Sequence, residues 1–296
     1  MAQKSTLKYD FMLLIVAITW STGFLGIKYA QDYGMPSSLI VVFRMLFAAV
    51  AMLLAFFSQI RKINRKQLRH GIIAGFFMSG GFLLQTIGMQ FTDISNNAFL
   101  TTSNVIFVPF ITWILIKKRP PAKTFISIAI GFLGISILTR VFDAQIAFNL
   151  GDILSLLCAV VYACQISYIG FAAKESDAAS FSFIQIVVTG IVSAVYFLLF
   201  DYNFAVVPQF TAAVWITVYL GVVCTALPYW LECIAQKYIP AARSALIISL
   251  EGMFASIISV LLGLEAVSWS LIVGGSVIML SIILLETDLK KKTLSQ

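Results

Sequence analysis

SSLIVVFRMLFAAVAMLLAFF, residues 37–57, runs for 21 residues with a single charge, Arg44. A helix needs ~20 mostly apolar residues to cross the hydrocarbon core of a bilayer. Working outward in both directions, the same pattern recurs at 9–30, 70–91, 95–116, 122–139, 149–173, 178–200, 210–236, 240–263 and 268–286. Hydrophobic residues make up 60% of the chain, charged residues 11%, and the mean hydropathy is +0.97. A soluble domain of 296 residues would carry far more charge on its surface. The expected fold class is therefore an all-α polytopic membrane protein with ten transmembrane helices.

The net charge of +7 would suggest a nucleic-acid partner in a soluble chain, but its placement gives a different reason. With the N-terminus inside, Lys4, Lys8, the run Arg61, Lys62, Arg65, Lys66 and Arg69, and the cluster Lys117, Lys118, Arg119 and Lys123 all lie on the inner side. Lys174, Lys237, Arg243 and Lys290, Lys291 and Lys292 join them, 17 of the 20 basic residues. Lys28 and Arg140 fall near the outer side, and Arg44 is within a span. This bias predicts both termini in the cytoplasm and an even number of spans. The basic loops can also touch anionic lipid head groups. Cys158, Cys164, Cys224 and Cys233 all fall in spans without C-x-x-C spacing and read as packing residues. The first stretch reads as a span and not a cleaved signal. The longest loop, 58–69, reads as a basic connector.

The polar break RVFDAQIAFN, residues 140–149, divides the chain into two halves, 1–142 and 149–287, followed by a basic tail, 288–296. Sliding one half over the other by 147 residues brings Ala98 onto Ala245, Phe107 onto Phe254, Ile111 onto Ile258 and Leu115 onto Leu262. Five spans per half force the copies into opposite orientations, so the expected architecture is two inverted five-helix repeats with a polar site near the midplane. Gly71 with Gly75, Gly80 with Gly81, Gly131 with Gly134, and Gly274–Gly275 place small residues where helix backbones can approach closely. Pro109 and Pro228 lie inside the fourth and eighth spans, where each removes a backbone hydrogen bond and can bend its helix.

These residues resemble the drug/metabolite transporter superfamily and, within it, the EamA-type ten-span permeases. The first span reads Ala17-Ile18-Thr19-Trp20-Ser21-Thr22-Gly23-Phe24 with Lys28 beyond, similar to the family's Trp-Gly-Ser-x-Phe…Lys. Phe43-Arg44-Met45 resembles its Phe-Arg-Phe. Gly88-Met89-Gln90-Phe91-Thr92, then Asn97-Ala98-Phe99-Leu100-Thr101 and Val108-Pro109, resemble the junction of its third and fourth spans. Gly151-Asp152 resembles the opening of the second copy, and Leu250-Glu251-Gly252 with Gly263-Leu264-Glu265 resembles its Leu-Glu-Pro…Leu-Gly-Glu. Gly252 stands where the family has proline, Ser21 where it has glycine, and Lys118 where a glutamate is expected. The resemblance covers the whole chain. It implies carriage of small metabolites, commonly amino acids or related compounds and often outward, through a cavity ringed by ten helices. It also points to the plasma membrane, specifically a bacterial inner membrane.

A charge held in hydrocarbon costs ~2.5–3.5 kcal/mol on insertion scales, so each one calls for a reason. Glu251 falls at the middle of the ninth span. It has two readings: a carboxylate that binds a cationic substrate group or carries a transported proton, and a neutral acid bridging helices. At the repeat offset its counterpart is Asn104. Thr225, Tyr229 and Glu232 form one helical stripe, read either as a cavity wall or, the favoured reading, with Glu232 simply reaching the inner interface. Arg44 is expected to pair structurally, while Arg243 and Lys28 snorkel. Asn97, Thr101 and Asn104 share one face, as do Cys158, Tyr162 and Gln165; Gln85 is central in its span. Trp20 is too deep for the interfacial belt, whereas Trp113, Trp215 and Trp269 suit it. His70 sits in the basic loop and reads as solvated.

No H-E-x-x-H, phosphate-binding loop, dinucleotide fingerprint or G-x-S-x-G occurs, so an enzyme is not expected, nor any metal or cofactor. The reading is a secondary carrier of a small polar metabolite working by alternating access, with protons as a possible second partner. Trp20, Gln85, Asn104, Tyr162, Tyr229 and Glu251 are the expected substrate-binding residues. The alternatives are a sugar-phosphate or nucleotide-sugar carrier, for which buried Lys or Arg would be wanted, and a channel-type facilitator.

Overall fold

The computed structural model describes residues 7–117, 119, 122–138, 149–202 and 208–293. Among these residues the chain is helix and turn, without a strand. Lys4, Lys118, Arg140 and the joining segment 139–148 lie outside the described residues. The first three spans form as expected: α1 (Leu7–Asp32), α2 (Ser37–Ile60) and α3 (Arg65–Gly88). Asn64 starts α3 with a reciprocal cap: its Oδ1 accepts from Gln67 N–H at 2.9 Å, and Gln67 Oε1 accepts from Asn64 N–H at 3.1 Å.

The fourth expected span, 95–116, is broken in two: α4 (Ile94–Thr102) and α5 (Asn104–Ile116) meet at Ser103. After α6 (Ala122–Leu138), α7 (Leu150–Ala172) passes through a 3₁₀ turn, Ala173–Glu175, into α8 (Ala178–Tyr196) and a π turn, Phe197–Asp201. The eighth span is α9 (Phe210–Gly221), a π turn over Val222–Ala226 and α10 (Leu227–Gln236). The ninth is again broken, into α11 (Ala241–Ile248) and α12 (Leu250–Leu261), at Ser249. α13 (Trp269–Thr293) carries helix through Lys290–Lys292. Eight helices or helix pairs among the described residues are long and apolar enough to span a membrane, and Trp269–Ser281 is a shorter apolar helix.

The two breaks match in detail. At each, a serine leaves the helical pattern slightly, and the following amide tightens to an i→i−3 bond: Ile106 N–H to Ser103 O at 2.9 Å and Gly252 N–H to Ser249 O at 3.3 Å. Each serine hydroxyl also donates to a carbonyl of the preceding turn, Ser103 to Phe99 O at 3.0 Å and Ser249 to Leu246 O at 2.7 Å. Hydroxyls bonded back this way compete with the helical ladder and bend it. Apolar periodicity is unaffected by such a break, so the sequence pattern runs straight through both.

Helices of the first half pack on those of the second. α3 lies along α7 and α8, α2 along α8 and α9, and α1 along α10 and α12. The Gly71–Gly75 face is the seam with α8: a Cβ on Gly75 would lie 2.7 Å from Val188 Cβ, and one on Gly71 2.6 Å from Ile184 Cβ. α6 and α13 pack chiefly on each other. At the end bearing the basic loops, Arg243 does not snorkel freely; its Nη2 pairs with Asp10 at 2.7 Å. Lys66 meets Glu175 there at 2.7 Å. His70, expected to be solvated, is half-buried against Tyr168, whose hydroxyl lies 2.8 Å from Nδ1. At the opposite end Lys28 pairs with Asp32. Glu265 there caps α4, accepting from Ser95 N–H at 2.9 Å and from the Ser95 hydroxyl. Trp215 and Trp269 are 69% and 78% exposed, as belt residues should be.

Candidate functional site

Pro228 opens the site's construction. It has no N–H to give the carbonyl four residues back, Cys224, and the π turn before it loosens the same stretch. Arg44 of α2 occupies this gap: Nη2 donates to Cys224 O at 2.7 Å and Nε to Thr225 Oγ1 at 2.6 Å. Thr225 is held in turn by donating to Leu220 O at 2.8 Å. The guanidinium lies over Phe82 of α3, 4.5 Å from the ring centroid. A buried arginine is thereby fixed by two bonds, leaving three of its five N–H donors without an acceptor among the described residues.

Those donors border a narrow central cavity of about 30 Å³. Trp20, Gln85, Asn104, Tyr162, Tyr229 and Glu251 all line it, so the structure brings together the six residues singled out from sequence. They come from α1, α3, α5, α7, α10 and α12. Both helix breaks serve this cavity. Asn104 is the first residue of α5 and Glu251 lies in the first turn of α12, where the free amides of a helix start favour negative charge. Glu251 is 4% exposed and accepts no hydrogen bond among the described residues. Asn104 Oδ1 is buried with no donor. Gly252 lets the second break lie against the first: a Cβ there would meet Thr102 Oγ1 at 2.7 Å.

Aromatic rings make the remaining wall. Trp20 and Tyr229 pack at 5.1 Å between centroids, and Phe82 meets Tyr162 edge-on at 6.0 Å. Gly81 leaves the room that Tyr162 fills. Two polar members were not singled out from the sequence as substrate-binding. Arg44 was read as structural, and it is, but it also faces the cavity. Gln165, on the expected Cys158–Tyr162–Gln165 stripe, lines the cavity and donates to Gln185 Oε1 at 3.0 Å. Other stripe members fall elsewhere. Asn97 bridges helices, donating to Gln85 O at 3.2 Å and Ser155 Oγ at 2.9 Å. Glu232 does not reach the interface: it is 0% exposed, bonded by Gln236 on its own helix, with α1, α8 and α7 packed against α10.

Arg44 and Glu251, a base and an acid, line the same cavity, and no ion pair joins them among the described residues. Beyond the cavity, a 520 Å³ vestibule opens beside Lys28, Gln31, Asp32 and Asp201, and one of 270 Å³ opens at the basic end beside Lys174, Gln236 and Lys237.

An uncharacterized transporter of Archaeoglobus fulgidus is 27% identical over 278 residues, covering 94% of this chain and 85% of the relative. A crystal structure aligns with TM-score 0.71 over 95% of this chain and 96% of that one, at 15% identity, a likeness of fold alone. The EamA-like transporter family model matches residues 7–140 and again 149–287. The chain is a multi-pass membrane transporter that belongs to the EamA-like transporter family.

Proposed function

We propose that the protein is a secondary carrier that exports a small polar metabolite, an amino acid or related compound, by alternating access. The observation that carries this reading is the buried cavity where Arg44 and Glu251 stand unpaired. A substrate bearing both charges satisfies both: its anionic group takes the free guanidinium donors, and its cationic group takes Glu251 with Asn104 Oδ1 beside it. The aromatic walls accept its apolar part. Glu251 is the proton- or substrate-linked group of the cycle.

Ten spans in two inverted repeats, 1–142 and 149–287, would supply the alternation. The paired breaks at Ser103 and Ser249 and the double match of the family model support that count, with α6 and α13 as fifth and tenth spans. A narrow central cavity between two wider vestibules suits an occluded step, in which neither side has access. Both termini, and the basic tail 288–296, lie in the cytoplasm, and the membrane is a bacterial inner membrane. A sugar-phosphate would place a second negative charge against Glu251, which disfavours that alternative.

Purified protein in proteoliposomes tests the reading. Zwitterionic metabolites should show saturable flux that is accelerated by substrate on the far side. Flux that never saturates would mean a channel, and preference for anions over zwitterions would remove Glu251 from the site.

A further inference from the structure

Glu232 and Gln236 stand one turn apart on α10, 0% and 1% exposed. One hydrogen bond joins them, Gln236 Nε2 donating to Glu232 Oε1 at 2.8 Å. The other oxygen of each, Glu232 Oε2 and Gln236 Oε1, is sealed from solvent and receives no donor. Two buried acceptors on side chains one turn apart, neither with a donor among the described residues, is an uncommon shortfall. A single proton cures both. Placed on Oε2, it makes Glu232 a carboxylic acid whose O–H donates to Gln236 Oε1. That closes the two-bond ring in which an acid and a primary amide each donate once and accept once.

No cation among the described residues offers another remedy. On its own helix Glu232 has Tyr229 and Cys233 within electrostatic reach, and on α12 Glu251. α8 presents Ser182 and Gln185, both bonded to Cys233, and α7 presents Gln165, bonded to Gln185. Asp10 of α1 is taken by Arg243 of α11. In the 3₁₀ turn, Glu175 pairs with Lys66, while Lys174 lines the vestibule with Lys237. A carboxylate at Glu232 would be a buried charge with one hydrogen bond and no counter-ion.

Position gives the pair a role. Tyr229, one turn toward the middle, lines the central cavity, and Gln236 lines the vestibule at the basic end. Glu232 stands in the wall between them. We propose that a proton shared by Glu232 and Gln236 locks this passage shut, and that its release admits water and opens the cavity to the vestibule. The proton comes from vestibule water and returns to it; no other bond is made or broken. Glu251 faces the same carboxyl, so charge on one disfavours charge on the other, which ties the lock to the state of the cavity. The inference rests on the carrier reading for its purpose, but its test reads access and not flux.

Hydrogen exchange of the full-length protein in lipid nanodiscs measures segment 230–240, divided by segment 212–222 of α9 so that the intrinsic pH dependence of exchange cancels. In the wild type this ratio should rise about tenfold from mildly acid to mildly alkaline buffer, the factor that losing one buried hydrogen bond of this kind supplies. Glu232→Gln carries a permanent N–H for Gln236 Oε1, so its ratio should stay low throughout. Gln236→Leu removes the acceptor and should exchange fast even in acid. A wild-type ratio that does not move with pH overturns the lock, whether or not the variants fold. So does a wild-type profile in either variant. A protein that transports yet gives a flat ratio loses the lock and keeps the carrier; one that transports nothing but shows the profile does the reverse.

Discussion

Exchanging Arg44 for lysine tests the claim that Pro228 creates the arginine's acceptor. The guanidinium spends Nε on Thr225 Oγ1 at 2.6 Å and Nη2 on Cys224 O at 2.7 Å while lying over Phe82. A lysine has one nitrogen and cannot span both acceptors with the fork's geometry. Losing one charge-assisted bond costs about 1.5–3 kcal/mol, and weakening the ring contact about 0.5–1 kcal/mol more. Arg44→Lys should therefore destabilise the protein by about 2–4 kcal/mol in a detergent unfolding titration. The decisive step repeats the exchange in Pro228→Ala. There residue 228 regains an N–H that can serve the Cys224 carbonyl itself, so the lysine leaves less unsatisfied. The double-mutant cycle should show coupling of about 1 kcal/mol or more, of the sign that makes Arg44→Lys milder beside alanine. Additive costs would refute the account, because the carbonyl would then not depend on what position 228 supplies.

Further outcomes follow from the same geometry. Glu251→Gln keeps shape and removes charge, so reconstituted uptake of a zwitterion should lose about 10–100-fold in affinity while competition by its uncharged-amine analogue changes little. Equal affinity and unchanged pH dependence would exclude Glu251 from the site. Gly252→Val should unfold the contact with Thr102 and lower the unfolding midpoint, by roughly 1–3 kcal/mol in stability, with Thr102→Ala in the same chain recovering part of it; no recovery would place the strain elsewhere. Removing Lys66, whose pair with Glu175 is exposed, should leave the unfolding midpoint where it is.

Much of this was legible in the chain because hydrocarbon leaves helices few choices. Spans such as 37–57 announce themselves by length, and a mid-span carboxyl such as Glu251 announces itself by cost. The cavity residues could be chosen by depth and polarity alone, and Trp20, Gln85, Asn104, Tyr162, Tyr229 and Glu251 do meet. What the pattern hid was local backbone. A one-residue departure at Ser103 or Ser249 leaves apolar periodicity intact, and the π turn before Pro228 changes no side chain. Arg44's second face followed from that hidden geometry, since only a freed carbonyl explains where its fork points. Glu232 was misjudged for a related reason. Distance along a helix suggested the interface, but the packing of α10 against α1 and α8 was needed to see it sealed.

The seam at Gly71 and Gly75 has a consequence for biogenesis. Its filler, Ile184 and Val188 on α8, is encoded more than a hundred residues downstream. While the ribosome is still working through the intervening chain, α3 must wait in the bilayer with a bare notch occupied by acyl chains. Every molecule thus passes through a half-built stage in which lipid stands in for protein, and final assembly is an exchange of fatty tails for α8. A bulky residue at either glycine would be tolerated by the early intermediate and rejected only at that last docking, so such variants should insert normally and then be degraded.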